Sequence, residues 1–167
     1  ATLEVSEFRL RPLVKQVLEN QQLTLLSQRV RLDVKIDDLS LIADRSKLRL
    51  ILENLLSNAI KYSPKGGSIH LHARAHGDNW QLDIADSGSG IPPDERARIF
   101  DAFYTGKVAP GGHVKGTGIG LSVVLEFVNA HGGMIEIVDG EYSGAHFCVR
   151  LPQRAATVQT TEHAHAA

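Results

Sequence analysis

The most regular hydrophobic pattern of the chain lies in residues 48–62, LRLILENLLSNAIKY, and it predicts a helix. At helical spacing one broad apolar face contains Leu48, Ile51, Leu52, Leu55, Leu56 and Ala59. Asn54, Asn58 and Lys61 follow one another at i, i+4 and i+7, so they share a second, narrow face. Asparagine is a poor interior helix residue, so two of them one turn apart require an explanation.

Two explanations of this amide face stay open at this point. It is either a solvated helix surface or a set of oxygen ligands for a hard cation, with the lysine near an anion. Mg²⁺ takes few protein oxygens together with substrate phosphates, so amide oxygens and one ammonium group fit a magnesium nucleotide. The other motifs of the chain decide between the two.

Alternation of apolar and polar residues predicts short strands on both sides of this helix. The predicted strands are 6–10, 30–36, 39–43, 69–76, 80–84, 134–139 and 145–151. Strands 30–36 and 39–43 are expected to form a hairpin around Asp37-Asp38. Strands 69–76 and 80–84 are expected to form a second hairpin with one wet face.

Three further helices and two irregular segments complete the pattern. The helices are predicted at 12–27, 92–100 and 120–130, and the central helix is capped by Asp44 or Ser46. Residues 101–118 are glycine-rich and without periodicity, which is typical of a functional loop such as a lid. The small, polar stretch 153–167 is expected to be disordered.

Composition limits the classes of function. The chain has 167 residues, which favours one domain, here placed at 1–152. Its formal net charge of −1 offers no basic surface for nucleic acid and no polybasic membrane patch. The single cysteine, Cys148, excludes an internal disulfide and suits a reducing compartment. The sequence has no long apolar run and no signal peptide, and we expect it to be a piece of a longer protein.

Strand 69–76 places His70 and His72 on one side, where two imidazoles could hold a metal ion. Histidines at every second position of a polar strand face are more often solvated. We therefore expect these two to be solvated rather than to bind a metal.

Two glycine-rich stretches carry candidate chemistry. Asp86-Ser87-Gly88-Ser89-Gly90-Ile91 directly follows a strand, and a carboxylate there suits an amine donor such as N6 of adenine, although a plain turn is the simpler explanation. Gly116-Thr117-Gly118-Ile119-Gly120-Leu121 directly precedes a helix, where backbone N–H groups and the helix dipole favour phosphate. Neither stretch is a P-loop or a Rossmann fingerprint.

The motifs together, in this order, resemble the catalytic and ATP-binding domain of two-component sensor histidine kinases. The order is N-x-x-x-N-A-x-K-Y, D-x-G-x-G-I, F-x-x-F, a glycine-rich loop and G-x-G-x-G-L, and the resemblance covers roughly residues 5–152. This domain belongs to a superfamily shared with gyrase, MutL and a heat-shock chaperone. The resemblance implies an α/β two-layer sandwich, with a mixed sheet of about five strands on three helices and a flexible ATP lid.

The resemblance also implies a role for each motif residue. Asn58, with Asn54, would hold Mg²⁺, while Lys61 would approach the phosphates and Tyr62 would lie against the adenine. Asp86 would accept a hydrogen bond from the adenine amine. The remaining implied residues of the adenine pocket, lid anchor and phosphate site are Gly88, Gly90, Ile91, Phe100, Phe103, Lys115, Gly116, Thr117, Gly118, Gly120 and Leu121.

Three departures from the family pattern matter. Thr105-Gly106-Lys107 stands where the family often has an arginine after F-x-x-F-Y, so we assign the γ-phosphate contact to Lys107 or Lys115. Some members have a hydroxyl before the last strand, where this chain has Gly144-Ala145. None of the eight histidines lies in an H-E-[IL]-x-x-P context, so the dimerisation domain with the phosphoacceptor is expected elsewhere.

The expected activity is transfer of the γ-phosphate rather than hydrolysis. Relatives that hydrolyse ATP carry a glutamate where this chain has Asn54, and Glu53 lies about 100° away around the helix. Transfer would go to a histidine on the dimerisation helices of a homodimeric parent, for relay to a response regulator. We expect a membrane-bound parent with this domain on the cytoplasmic side, and no autophosphorylation by the isolated fragment.

Two other classes of function stay open. One is a stand-alone ATPase of the superfamily or a serine-directed anti-sigma kinase. The other is an interaction module that kept the fold and lost ATP, against which the intact asparagines, Asp86 and glycines argue.

Overall fold

The computed structural model describes residues 2–101 and 120–156, and this part of the chain forms seven strands and four helices. The strands are β1 (Ser6–Arg9), β2 (Arg31–Ile36), β3 (Ser40–Ala43), β4 (Ser68–His76), β5 (Asn79–Asp86), β6 (Met134–Ile137) and β7 (His146–Pro152). The helices are α1 (Leu10–Asn20), α2 (Gln22–Ser27), α3 (Arg45–Tyr62) and α4 (Gly120–Ala130).

Five of the strands form the mixed sheet that the family resemblance implies. Their order is β2-β4-β5-β7-β6, with β2 parallel to β4 and every other neighbouring pair antiparallel. The predicted β4–β5 hairpin is confirmed, because His76 pairs with Asn79 across its turn. The sheet therefore has the expected number of strands with mixed directions, and the fold belongs to the expected α/β class.

The predicted hairpin between β2 and β3 is wrong. β3 instead pairs antiparallel with β1 in a separate two-stranded sheet, with Phe8 opposite Leu41. Asp37 does not turn the chain back onto β2, because its N–H donates to the carbonyl of Ala73 at 2.9 Å and prolongs the pairing with β4. This arrangement buries Leu41 and Ala43 and leaves β2 free to form the parallel edge of the main sheet.

The structure also corrects two of the predicted helices. The helix expected at 12–27 is interrupted at Gln21, whose φ of −104° and ψ of 8° separate α1 from α2. Residues 93–100 form consecutive turns rather than a helix. Most backbone hydrogen bonds here span three residues, as from the N–H of Glu95 to the carbonyl of Pro92 and from the N–H of Arg98 to the carbonyl of Glu95, so the segment forms separate turns rather than an α-helix.

α3 is the centre of the hydrophobic core. Its six predicted apolar residues are all buried, together with Ile60, and the helix contacts α1, α4 and β5. Asp44 caps the helix by accepting a hydrogen bond from the N–H of Lys47 at 3.1 Å. His131, just after α4, accepts a hydrogen bond from the N–H of Asp44 at 3.2 Å, so the end of α4 is fixed to the start of α3.

The chain stays packed beyond β7. The N–H of Ala155 donates to the carbonyl of Ile42 at 2.7 Å, Arg154 forms a bridge with Ile42, and Ala155 is buried. Residues 153–156 therefore extend the packed region past the boundary that we placed at 152, because the free edge of β3 offers them backbone partners. The rest of the predicted disordered tail, 157–167, lies outside the described residues.

Within residues 2–101 and 120–156, no helix combines the length and the apolar composition that crossing a bilayer requires.

Candidate functional site

The amide face of α3 lies against the start of α4. Asn54 is half-buried, and its side-chain N–H donates to the carbonyl of Leu50 at 2.9 Å. A Cβ atom added at Gly120 would lie 3.1 Å from Oδ1 of Asn54, so a larger residue would crowd the amide oxygen. Asn58, one turn further on, is half-buried and makes no side-chain hydrogen bond within residues 2–101 and 120–156. Its amide oxygen therefore accepts no hydrogen bond from this part of the chain.

The last two residues of α3 form a cation–ring pair. Nζ of Lys61 lies 5.6 Å from the centre of the Tyr62 ring, and both side chains are half-buried. Burial, followed by the negative charge of Glu95, raises the pKa of Tyr62 above its ordinary value. Tyr62 therefore stays a neutral, largely apolar ring at physiological pH, while Lys61 supplies the positive charge.

Asp86 is the last residue of β5, and its buried carboxylate accepts backbone hydrogen bonds through one of its two oxygens. It is 5% exposed, and its Oδ1 accepts hydrogen bonds from the N–H groups of Gly88 at 2.8 Å and Ala145 at 3.2 Å. Burial raises the pKa of Asp86, although these two hydrogen bonds oppose the shift. Among the residues that the structure describes, none donates to Oδ2 of Asp86, so this second oxygen can accept a hydrogen bond from a ligand.

Glycines make the close approaches around this carboxylate possible. A Cβ atom at Gly88 would lie 2.3 Å from the carbonyl oxygen of Tyr62, so the turn after β5 fits against the end of α3 only without a side chain. At Gly144 a Cβ atom would lie 2.2 Å from Oδ1 of Asp86 and 2.6 Å from the nitrogen of Gly88. Gly90 has a φ of +81°, which favours glycine.

Gly144 is a residue of the site that the sequence analysis missed. It was singled out only as a place where a hydroxyl was absent. Its position follows from the pairing of Ala85 with His146, which puts residues 144 and 145 beside Asp86. Only the order of strands in the sheet reveals this neighbour, and the sequence does not state that order.

The segment that leads toward the predicted lid is anchored in the core. Phe100 contacts Phe147 edge to face, with 6.3 Å between the ring centres, and packs partly buried against the core. Ile91 and Leu121 are also partly buried against it. These contacts suit an anchoring role for Phe100, and they show that Ile91 packs against the core just after the Asp86 turn in the sequence.

The structure thus brings together the predicted residues of α3, the Asp86 turn and the first residue of α4. Several predicted residues lie outside the described part of the chain, so their roles stay predictions: Phe103, Lys107, Lys115, Gly116, Thr117 and Gly118. The predicted lid, 101–118, lies outside it except for its first residue, Asp101.

A half-buried amide face, a buried carboxylate with one oxygen that accepts no hydrogen bond from the described residues, and glycine-lined turns between them lie together where α3 and β5 end and α4 begins. Residues 43–155 match the family described as histidine kinase-, DNA gyrase B- and HSP90-like ATPase, and the chain belongs to this family. Within it, the chain is an ATP-binding catalytic domain of the sensor histidine kinase type, as its relatives show.

Three relatives illustrate the likeness. Sensor histidine kinase GlrK of Escherichia coli (strain K12) is 31% identical over 157 residues, which are 94% of this chain and 33% of GlrK. The catalytic domain of histidine kinase ThkA has a TM-score of 0.80 at 26% identity, covering 92% of this chain and 100% of that one. Full-length ShkA in complex with AMPPNP has a TM-score of 0.78 at 28% identity, covering 95% of this chain and 33% of ShkA.

The chain spans a third or less of the length of the curated sensor kinases that it matches.

Proposed function

We propose that this domain binds Mg·ATP and transfers the γ-phosphate to a histidine on the dimerisation helices of a longer sensor kinase, for relay to a response regulator. The observation that carries the proposal is the Asp86 carboxylate. One of its oxygens is fixed by two backbone N–H groups and the other can accept a hydrogen bond. An exocyclic amine such as N6 of adenine is the donor that such an acceptor selects.

The amide face of α3 fits a hard cation. Asn58 has an amide oxygen without a protein donor within 2–101 and 120–156, and the oxygen of Asn54 lies beside Gly120. Amide oxygens with water and phosphate oxygens are the ligands that Mg²⁺ prefers. Asn58, with Asn54, would hold this ion, which when bound would neutralise charge on the phosphates. Lys61 adds a positive charge from the same helix face.

The ion pair of Glu53 supports transfer rather than hydrolysis. Oε1 of Glu53 lies 3.9 Å from Nε of Arg49, one turn earlier on α3. The Glu53 carboxylate therefore lies near Arg49, and helix geometry places both on a different face of α3 from Asn54 and Asn58. The described part of the site thus offers no carboxylate from α3 to activate water, which favours a nucleophile supplied from another domain.

The first test is calorimetric titration of the domain with a non-hydrolysable ATP analogue, with and without Mg²⁺. We expect binding that Mg²⁺ strengthens, and loss of this magnesium effect in Asn58→Ala. Ser57→Ala, an exposed neighbour on the same helix, is the matched control and should behave as the wild type. No binding at millimolar analogue would favour the interaction module and would overturn the proposal.

The second test separates transfer from hydrolysis. The domain alone should release phosphate from ATP slowly, whereas a stand-alone ATPase would release it fast. A full-length parent should label its own histidine and then its response regulator, and the parent that carries Asn58→Ala should do neither. Normal autophosphorylation by that variant would remove Asn58 from the metal site.

A further inference from the structure

A cluster of two histidines and one aspartate lies on the main sheet, away from the nucleotide site. β2 and β4 run parallel with Asp33 opposite His70. Nδ1 of His70 and Nε2 of His72 each lie 2.9 Å from Oδ2 of Asp33. One ligand atom from each of the three residues lies within 4.8 Å of the other two. The expectation that His70 and His72 are merely solvated is therefore wrong, because both contact the same carboxylate.

We propose that Asp33, His70 and His72 bind a divalent transition-metal ion, with zinc as the occupant. Two imidazole nitrogens and one carboxylate oxygen form one of the three-ligand sets that hold zinc where a fourth position stays open to water. Imidazole also suits nickel, cobalt and copper, whereas Mg²⁺ prefers oxygen ligands alone. The site is thus distinct in chemistry from the amide face of α3.

Two of the three distances between ligand atoms need only a small adjustment to admit the ion, and the third lies within 4.8 Å. An ion about 2.1 Å from each ligand sets tetrahedral ligand atoms roughly 3.4 Å apart. Each 2.9 Å contact would therefore open by about half an ångström, within the reach of rotamer adjustments in side chains of this length. The side chains of Asp33, His70 and His72 are 39%, 29% and 25% exposed, so ion and water can reach them.

The neighbours of the cluster favour a ligand role. The ring of Tyr142 lies against the His70 imidazole, with 4.6 Å between the ring centres and 32° between the planes. This contact restricts the orientation of His70. A bound ion would also join the edge strand β2 to β4.

The site is tested by calorimetric titration of the full chain, stripped of metal, with zinc alone. We expect one zinc ion to bind per chain at micromolar zinc. His72→Asn and Asp33→Asn should each weaken this binding by about 100-fold or more, because loss of a residue that only supports a ligand already costs about 10–100-fold in affinity. Zinc should also raise the unfolding temperature of the wild type and not that of His72→Asn.

Two controls test whether the zinc binds here rather than at other histidines. His76 is exposed on the same strand and lies outside the cluster, so His76→Asn should bind zinc as the wild type does. The double variant His163→Ala/His165→Ala removes the two histidines of the C-terminal stretch and should also leave binding unchanged. Circular dichroism checks that each variant is folded. If His72→Asn does not fold, Asp33→Asn takes its place in the test, because Asp33 is a half-exposed position.

Three results would overturn the proposal. They are a wild type that binds no zinc at micromolar concentration, cluster variants that bind zinc as tightly as the wild type, and loss of binding on removal of His163 and His165. A cobalt titration adds a spectroscopic signature. Cobalt bound by nitrogen and oxygen ligands should give a visible absorption band in the wild type, and this band should be absent in His72→Asn.

Discussion

Replacing Asp86 by asparagine should reverse the preference of the site for the group at position 6 of a purine. Oδ1 of Asp86 accepts two backbone N–H groups, from Gly88 at 2.8 Å and from Ala145 at 3.2 Å. In Asp86→Asn the amide oxygen must take this position, because an NH₂ group there would face two donors. The NH₂ group then occupies the position of Oδ2 and faces the amine of adenine, donor against donor.

The magnitude follows from the loss of a hydrogen bond to a charged acceptor. Such a bond contributes about 1.5–3 kcal/mol, so the affinity of Asp86→Asn for an ATP analogue should fall by about 10–150-fold. An inosine analogue carries a carbonyl at position 6, which accepts from the new NH₂ group. Its affinity should rise on the same substitution, and this rise distinguishes a change of recognition from damage to the pocket.

The fold should tolerate the change. Burial raises the pKa of Asp86, so the folded state binds its proton more tightly than the unfolded chain. The free energy of unfolding therefore decreases as pH rises through this raised pKa, and the neutral amide removes that decrease. At neutral pH Asp86→Asn should be at least as stable as the wild type in urea denaturation.

The assay is calorimetric titration of wild type, Asp86→Asn and Asp78→Asn with both nucleotide analogues. Asp78 lies exposed in the turn between β4 and β5, so Asp78→Asn makes the same change of charge away from the pocket and should leave both affinities unchanged. Unchanged ATP affinity in Asp86→Asn would refute the assignment of the adenine contact. An equal loss of both nucleotides would refute the donor–acceptor reasoning.

Three further predictions concern single residues. In Gly88→Ala a Cβ atom would lie 2.3 Å from the carbonyl oxygen of Tyr62. Calorimetry should therefore show weaker binding of an ATP analogue, and denaturation should show a loss of about 1–3 kcal/mol in stability. A variant with unchanged binding and stability would contradict the close approach. Burial alone would raise the pKa of Asp44, yet the N–H groups of Glu4 and Lys47 together lower it. Asp44→Ala should therefore cost about 1 kcal/mol at neutral pH, and urea denaturation should show this difference shrinking as pH falls through the lowered pKa. Burial raises the pKa of Cys148 to about 12, so the native thiol should not react with Ellman's reagent at pH 8, whereas the urea-unfolded thiol should.

Local pattern was sufficient to predict the elements that hold the site. α3 buries all six residues of its predicted apolar face, and the β4–β5 hairpin turns where the sequence indicated. α4 begins at the predicted Gly120, and of the two predicted caps of α3, Asp44 and Ser46, the structure shows Asp44. Helical periodicity, alternation and capping are local properties, so a single sequence carries them.

Features that depend on which strands meet could not be predicted in this way. β3 was assigned to the wrong partner because a turn-like Asp37-Asp38 favours the nearest strand, whereas the fold pairs β3 with β1. For the same reason the contact between Asp33 and His70 was not predicted, since β2 was expected beside β3 rather than parallel to β4. Gly144 was missed as a neighbour of Asp86 for a related reason, because it depends on β7 lying beside β5.

The segment between β6 and β7 connects the two sites of the domain. Tyr142 lies against His70 of the proposed zinc site, and three residues later the N–H of Ala145 donates to Oδ1 of Asp86. A shift of this segment would therefore change both the orientation of one metal ligand and the position of the carboxylate that we expect to accept the adenine amine. The proposed zinc site and the proposed adenine contact therefore share one connecting segment.

This connection decides which aspartate can serve as a control for Asp86. Asp83 is on the same strand, but its Oδ1 lies 2.8 Å from Nε2 of His146, whose ring contacts Tyr142 edge to face at 5.1 Å. Asp83→Asn would weaken this contact and disturb the segment that fixes Asp86, so a loss of nucleotide affinity in that variant would say nothing about adenine recognition. Asp78 has no such path, since its side chain is exposed in the turn before β5 and makes no hydrogen bond within residues 2–101 and 120–156. It therefore isolates the effect of removing one negative charge from the effect of changing the acceptor.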